Sequence, residues 1–212
     1  MYSVIFDVDG TLWDSTEAIA KSWNEAIKEV LNYDRGVTAD ILRQLFGKTT
    51  NEIAEELLPN FSEEERLKAL YRCFDYEDEY LIEHPGKFYE GMYETLIKLS
   101  EKHDLYVVSN CQKGYIELTL KHAKLTEVIK DHVCFGDNDL PKGENIKYIM
   151  EKNNIKKAIY VGDIQGDYNA CQVAKIPMIY ASYGFGEVEN PDYTINDIRE
   201  LPALMEEIEK TK

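Results

Sequence analysis

The chain has 212 residues, 44% of them hydrophobic and 30% charged, which suits one large domain or two small ones with a real hydrophobic core. Its 40 acidic side chains against 24 basic ones leave a net charge of −16, a field that excludes a basic face for nucleic acid or for an anionic membrane surface. Four scattered cysteines, no apolar run long enough for a bilayer, and an N-terminal apolar run that meets Asp7 too early for a signal peptide together predict a reduced, cytoplasmic protein.

Taken in chain order, the first element is a short buried strand, Ser3 to Phe6, which runs into Asp7, Asp9, Gly10 and Thr11. Asp is a poor strand former, and two carboxylates at the end of a buried strand are costly unless something compensates them. From Thr16 to His84 the apolar residues recur at helical spacing, as Ile19, Trp23, Ile27 and Val30 do and as Leu67, Leu70, Phe74 and Leu81 do. No strand is predicted there. Asp14 followed by Glu17 has the form of a capping box that opens the first of these helices, and Pro85-Gly86 ends the segment. The acidic runs Glu63 to Glu65 and Glu77 to Glu79 are expected to be solvated helix faces.

Beyond Gly86 the pattern alternates. Met92 to Lys102 reads as a helix and Leu105 to Val108 as a strand, with Val133 to Phe135 a weaker strand candidate. Helix Gly143 to Asn153, strand Ala158 to Val161, helix Gly166 to Ala174, strand Met178 to Ala181 and helix Leu201 to Ile208 follow. Strand and helix alternating at this spacing predict an α/β fold: an open parallel, Rossmann-like sheet. The expected division is a core of residues 1–14 and 86–212, with a helical domain of residues 15–85 inserted after the first strand.

In such sheets ligands bind beyond the carboxyl ends of the strands, so the residues there form one set. They are Asp7 and Asp9, then Ser109 and Asn110, then Lys142 in a loop that opens a helix, then Gly162, Asp163 and Asp167. Asp7 and Asp9, two apart in an extended segment, share a face. With Asp163 they would make an oxygen-only cage suited to Mg²⁺, with no His or Cys among them. A cation shared with a phosphate would explain the carboxylates. Ser109, Asn110, Lys142 and the backbone N–H groups around Gly10 could hold the phosphoryl oxygens.

The ordered set D-V-D-G-T-L, S-N, Lys142 and G-D-x-x-x-D on alternating strands resembles the haloacid dehalogenase superfamily, and the helical insert resembles its C1-type cap. The likeness covers essentially the whole chain and is closest to the phosphoglycolate-phosphatase-like branch. It implies a Mg²⁺-dependent phosphatase acting on a small phosphorylated metabolite. Asp7 would be the nucleophile that forms an aspartyl-phosphate, and Asp9 the acid and base, binding the metal through its backbone carbonyl. Ser109 would hold the phosphoryl group and Lys142 neutralise it. Asp163 would be a metal ligand, and Asp167 would act on a metal-bound water or on Lys142. The chain departs from many relatives in having Ile164 after the Asp of the last motif and Gly143 after Lys142.

Other readings of the same residues compete. Dehalogenases of the superfamily lack the second Asp, which is present here as Asp9. β-Phosphoglucomutases carry an Arg three residues after the cap-loop glycine, and phosphonoacetaldehyde hydrolases a Lys near there, where this chain has Thr50. A non-catalytic phosphate-binding protein has no need of a nucleophile. Substrate selection is expected from the cap loop, with Lys48 pairing a carboxylate or second phosphate of the leaving group. The four histidines are expected at the surface or in packing. Trp13 lies close to Asp9 at the edge of the insert.

Overall fold

A computed structural model describes residues 1–211. The elements run β1 (Ser3–Phe6), β2 (Trp13–Asp14), α1 (Thr16–Leu31), α2 (Ala39–Leu45), α3 (Thr50–Leu57), α4 (Glu63–Glu83), β3 (Lys87–Phe88), α5 (Met92–Ser100), β4 (Leu105–Ser109), α6 (Tyr115–Ala123) and β5 (Ile129–Cys134). They continue through α7 (Phe135–Asn138), α8 (Lys142–Lys152), β6 (Ala158–Gly162), α9 (Gln165–Ala174), β7 (Met178–Ala181), β8 (Tyr193–Ile195), a 3₁₀ turn at Ile198–Glu200 and α10 (Leu201–Lys210). The chain divides into two compact units: Met1–Trp13 with everything from Phe88 onward, and Asp14–Lys87. β2 and β3, where the chain passes between the units, form a two-stranded sheet.

The first unit holds a six-stranded parallel sheet in the order β5-β4-β1-β6-β7-β8. This is the expected α/β, Rossmann-like core. β1 is central because its three apolar residues Val4, Ile5 and Phe6 are fully buried, as a strand covered on both faces requires. Ile5, Tyr106, Val108 and Tyr160 meet Ile146 and Ile149 of α8 and Cys171 of α9 in one apolar cluster. Val4 and Phe6 alternate with Ile5 and face the other side. β1 pairs β4 on one flank and β6 on the other, so strand order reverses there. A crevice opens at such a switch point beyond the strand ends.

Between its terminal residues Asp14 and Lys87, which belong to β2 and β3, the regular elements of the second unit are all helices, as its periodicity predicts. α1 packs on α4 and α2, and α3 packs on α4. Trp23 anchors the packing, with its ring 6.0 Å from Phe74 and 6.4 Å from Phe46. Two details differ from the sequence reading. Asp14 and Glu17 form no capping box: Ser15 is the residue before the helix, and Asp14 Oδ1 accepts from the Thr16 backbone N–H at 3.0 Å. The reason is competition, because Asp14 Oδ2 also takes Arg43 at 2.8 Å and Glu17 takes Lys87 at 2.8 Å. The capping boxes of this unit are instead Thr49 with Glu52 and Ser62 with Glu65.

The second difference is Glu77. It is no solvated residue but only 3% exposed, and its Oε2 accepts the Trp23 indole N–H at 2.8 Å. In the sheet, β5 starts at Ile129, earlier than the weak signal at Val133, and Phe135 belongs to α7. Lys142 is the first residue of α8 rather than part of the preceding loop. Among the described residues no helix is long and apolar enough to cross a membrane, and the four cysteines form no disulfide.

Candidate active site

Strand β1 ends at Phe6, but the ladder reaches one step further, since the Asp7 backbone N–H donates to Val161 O at 2.9 Å. The chain then turns. The N–H groups of Thr11 and Leu12 both donate to Val8 O, at 3.2 and 2.8 Å. Gly10 takes φ +80°, a conformation costly for any residue with a Cβ, and a Cβ there would run into the Asp163 carboxylate. The glycine of the first motif therefore brings the backbone against the last motif's Asp.

Asp163 follows β6 directly and is fully buried. Its Oδ1 accepts from Thr11 Oγ1 at 3.3 Å and its Oδ2 from the Phe185 N–H at 2.7 Å. Asp167 stands in the first turn of α9, also fully buried. One of its oxygens, Oδ2, accepts the N–H groups of Asp163 and Ile164 at 3.0 and 3.2 Å. Thus Asp167 supplies the half of a capping box that reaches back to the N-cap N–H, while Ile164 supplies no side-chain acceptor for the other half. Gly162 is required here by space, because a Cβ would fall 2.5 Å from Asp167 Oδ2.

Lys142 binds the two motifs together. Its Nζ lies 3.0 Å from Asp7 Oδ1 and 2.6 Å from Asp167 Oδ1, with the lysine side chain 4% exposed. The two acids hold this ammonium far above the ordinary lysine range against the pull of burial. Burial pushes the Asp7 carboxyl up to about 6, opposed by Lys142. Asp163 is pushed up strongly too, by burial first and then by repulsion from Asp167 and Asp7. Oxygens of Asp7, Asp163 and Asp167 lie within 4.8 Å of one another. One lysine among three buried carboxylates leaves negative charge to be neutralised, and an all-oxygen donor set of this kind fits a hard divalent cation such as Mg²⁺.

Asp9 goes elsewhere. Because the strand stops at Phe6, the rule that residues two apart share a face no longer applies at Asp9. Its half-buried carboxylate accepts from Trp13 Nε1 at 3.1 Å and from the Tyr115 hydroxyl at 2.7 Å. The three carboxylates brought together are therefore Asp7, Asp163 and Asp167. Ser109, 5% exposed, is the last residue of β4, and half-buried Asn110 follows it. Lys48 lies in the helical unit, ion-paired with Glu56 at 2.6 Å. Sequence reasoning missed Thr11 as a partner of Asp163 and Tyr115 as a partner of Asp9. Tyr115 has no visible signal, being one of 15 tyrosines at the start of an ordinary helix.

This arrangement places a buried carboxylate, Asp7, beside an ammonium and two further carboxylates at the switch point of a parallel sheet. Such a site can present a nucleophilic oxygen to a phosphoryl group whose charge is balanced by cations. Residues 4–181 match the family model of the haloacid dehalogenase-like hydrolases. A phosphoglycolate phosphatase of Agrobacterium fabrum is 31% identical, the match covering 96% of this chain and 92% of that protein. The pyrophosphatase PpaX of Listeria welshimeri is 27% identical over 98% of this chain and 97% of its own length. Among solved structures, a predicted phosphatase from Clostridium acetobutylicum superposes with a TM-score of 0.79 at 27% identity, covering 97% of this chain and 98% of that one. With motif order, fold and relatives in agreement, the chain belongs to the haloacid dehalogenase-like hydrolases and is a phosphatase of the phosphoglycolate-phosphatase-like branch.

Proposed function

We propose that the protein is a Mg²⁺-dependent phosphatase that hydrolyses a small phosphorylated metabolite through a phosphoryl group carried on Asp7. The observation that supports this most is the meeting of Asp7, Asp163 and Asp167 around Lys142 at the end of β1 and β6. In this reading Asp7 and Asp163 hold the cation together with the Asp9 backbone carbonyl, and Asp167 steadies Lys142 beside them. When bound, the cation supplies charge neutralisation between the Asp7 carboxylate and the phosphate.

The chain's own residues then divide the work. A carboxylate oxygen of Asp7 attacks phosphorus while the bond to the leaving oxygen breaks, and Asp9 gives that oxygen its proton. In the second half, Asp9 takes a proton from water as the water oxygen attacks the same phosphorus, releasing phosphate and restoring Asp7. Lys142 offsets the charge that builds on the phosphoryl oxygens, and Ser109, Asn110 and the backbone around Gly10 hold them. The helical unit is the proposed cap, with Lys48 as reader of an anionic leaving group; its exposed pair with Glu56 is weak enough to exchange for a substrate anion. The relatives' names make phosphoglycolate and pyrophosphate the first substrates to try.

A hydrolysis screen over phosphoglycolate, pyrophosphate, sugar phosphates and nucleoside monophosphates, with Mg²⁺ and with EDTA, tests the proposal. Turnover of at least one with Mg²⁺, lost in EDTA, is expected; undiminished turnover in EDTA would overturn the metal assignment. In the same screen Lys48→Ala should raise KM roughly tenfold or more for the best anionic substrate while leaving a simple aryl phosphate unchanged.

A further inference from the structure

Asp9 Oδ1 accepts from two aromatic donors at once, Trp13 Nε1 at 3.1 Å and the Tyr115 hydroxyl at 2.7 Å. Neither donor can wander. Trp13 is fully buried and Tyr115 is 1% exposed, and their rings meet edge to face at 5.7 Å. Trp13 also stacks on Phe88 at 5.4 Å. We propose that Tyr115 and Trp13 are positioning residues, which together hold the Asp9 carboxylate in the one orientation from which it transfers protons. The inference rests on the reading of Asp9 as acid and base.

The physical argument starts from the backbone. Asp9 lies in the turn after β1, outside the ladder, so nothing in the sheet fixes its side-chain torsions. Two donors converging on a single oxygen remove that freedom, and they come from separate parts of the chain, the start of β2 and the start of α6. Tyr and Trp each have only two side-chain torsions, and both are already fixed by packing, so the clamp is paid for before substrate arrives. A proton donor displaced by about 1 Å can lose a factor of roughly a hundred. The clamp therefore matters most for leaving groups that must be protonated as the P–O bond breaks.

Tyr115→Phe keeps the ring and removes only the hydroxyl. With Mg²⁺ present, kcat for an alkyl phosphate should fall about tenfold or more, while release of phenol from an activated aryl phosphate in the first turnover stays near the wild-type rate. A merely structural role would lower both together or neither, and either result overturns the proposal. Asp9→Asn is the reference. If it turns over both substrates like wild type, the acid/base reading itself fails; if it is impaired and Tyr115→Phe is not, only the positioning inference fails. A second readout needs no activity. The indole N–H resonance of Trp13, identified by its contacts to the Phe88 ring, should move in Asp9→Asn. An unchanged resonance would mean the clamp is absent in solution, and this measurement decides the matter even if Tyr115→Phe does not fold.

Discussion

Two carboxylates two positions apart acquire different surroundings because the strand ends between them. Asp7 still belongs to the ladder and faces an ammonium, whereas Asp9 has entered the turn and faces two aromatic donors. Their substitutions should differ accordingly. Asp7→Asn removes the proposed nucleophile, so rapid quench with a ³²P-labelled substrate should find no phosphoryl-enzyme. Asp9→Asn should give a burst of about one equivalent of phenol from an aryl phosphate, followed by a slow steady state, because the first step hardly needs an acid and the second still needs a base. A full-rate steady state in Asp9→Asn with normal Mg²⁺ binding would remove Asp9 from that role. At this scale the sequence is legible wherever a charge stands at the end of an apolar run. Asp7, Lys142, Asp163 and Asp167 are visible because ionised groups are expensive to bury and so demand partners. Tyr115 is not, and Thr11 and Trp13 stand beside Asp9 in the sequence without showing which carboxylate they bond, because aromatic and hydroxyl side chains enter most cores without any chemical purpose.

At the scale of elements, the strands buried on both faces are legible from their unbroken apolar runs, as in β1, β4 and β6. β5 is an edge strand whose middle residues Lys130, Asp131 and His132 are exposed or half-buried, so only its apolar end registers. β2, β3 and β8 have two or three residues each, too few to show any period. In the helical unit the acidic run of α4 hides one inward-facing member, Glu77, since composition over three residues does not say which of them turns toward α1. Its bond to Trp23 joins the two longest helices of that unit. Glu77→Ala leaves a buried indole N–H without this acceptor and should cost roughly 2–3 kcal/mol in urea unfolding followed by fluorescence. Glu77→Gln, which keeps an acceptor oxygen, should cost clearly less. Equal losses would mean that the volume of the side chain, not its oxygen, is what matters.

For the whole molecule, the buried acids of the site set a pH dependence. The Asp7 carboxyl is raised from an ordinary 3.8 to about 6 by burial, and Asp163 is raised in the same direction. The native state therefore holds protons that the unfolded chain has released. Stability from this source is fully present below about pH 4 and is lost as pH rises through about 6. A two-unit shift corresponds to roughly 3 kcal/mol. In EDTA the difference in melting temperature between Asp7→Asn and wild type should grow from pH 4 to pH 7 in favour of the variant, and Mg²⁺ at pH 7 should narrow it. A difference independent of pH would show that Asp7 ionisation costs the fold nothing.

The central place of β1 has a consequence for how the chain comes into being. The strand that leads to the proposed nucleophile is made before its neighbours β4 and β6, which begin only at Leu105 and Ala158. The lysine that pairs with Asp7 lies 135 positions later. Contacts so distant along the chain are slow to close. On the ribosome β1 must wait, apolar and unpaired, while the helical unit, whose partners lie within residues 14–87, can assemble on its own contacts. The site is the last thing to arrive: until the chain has passed Asp167, Asp7 lacks the partners that surround it in the fold.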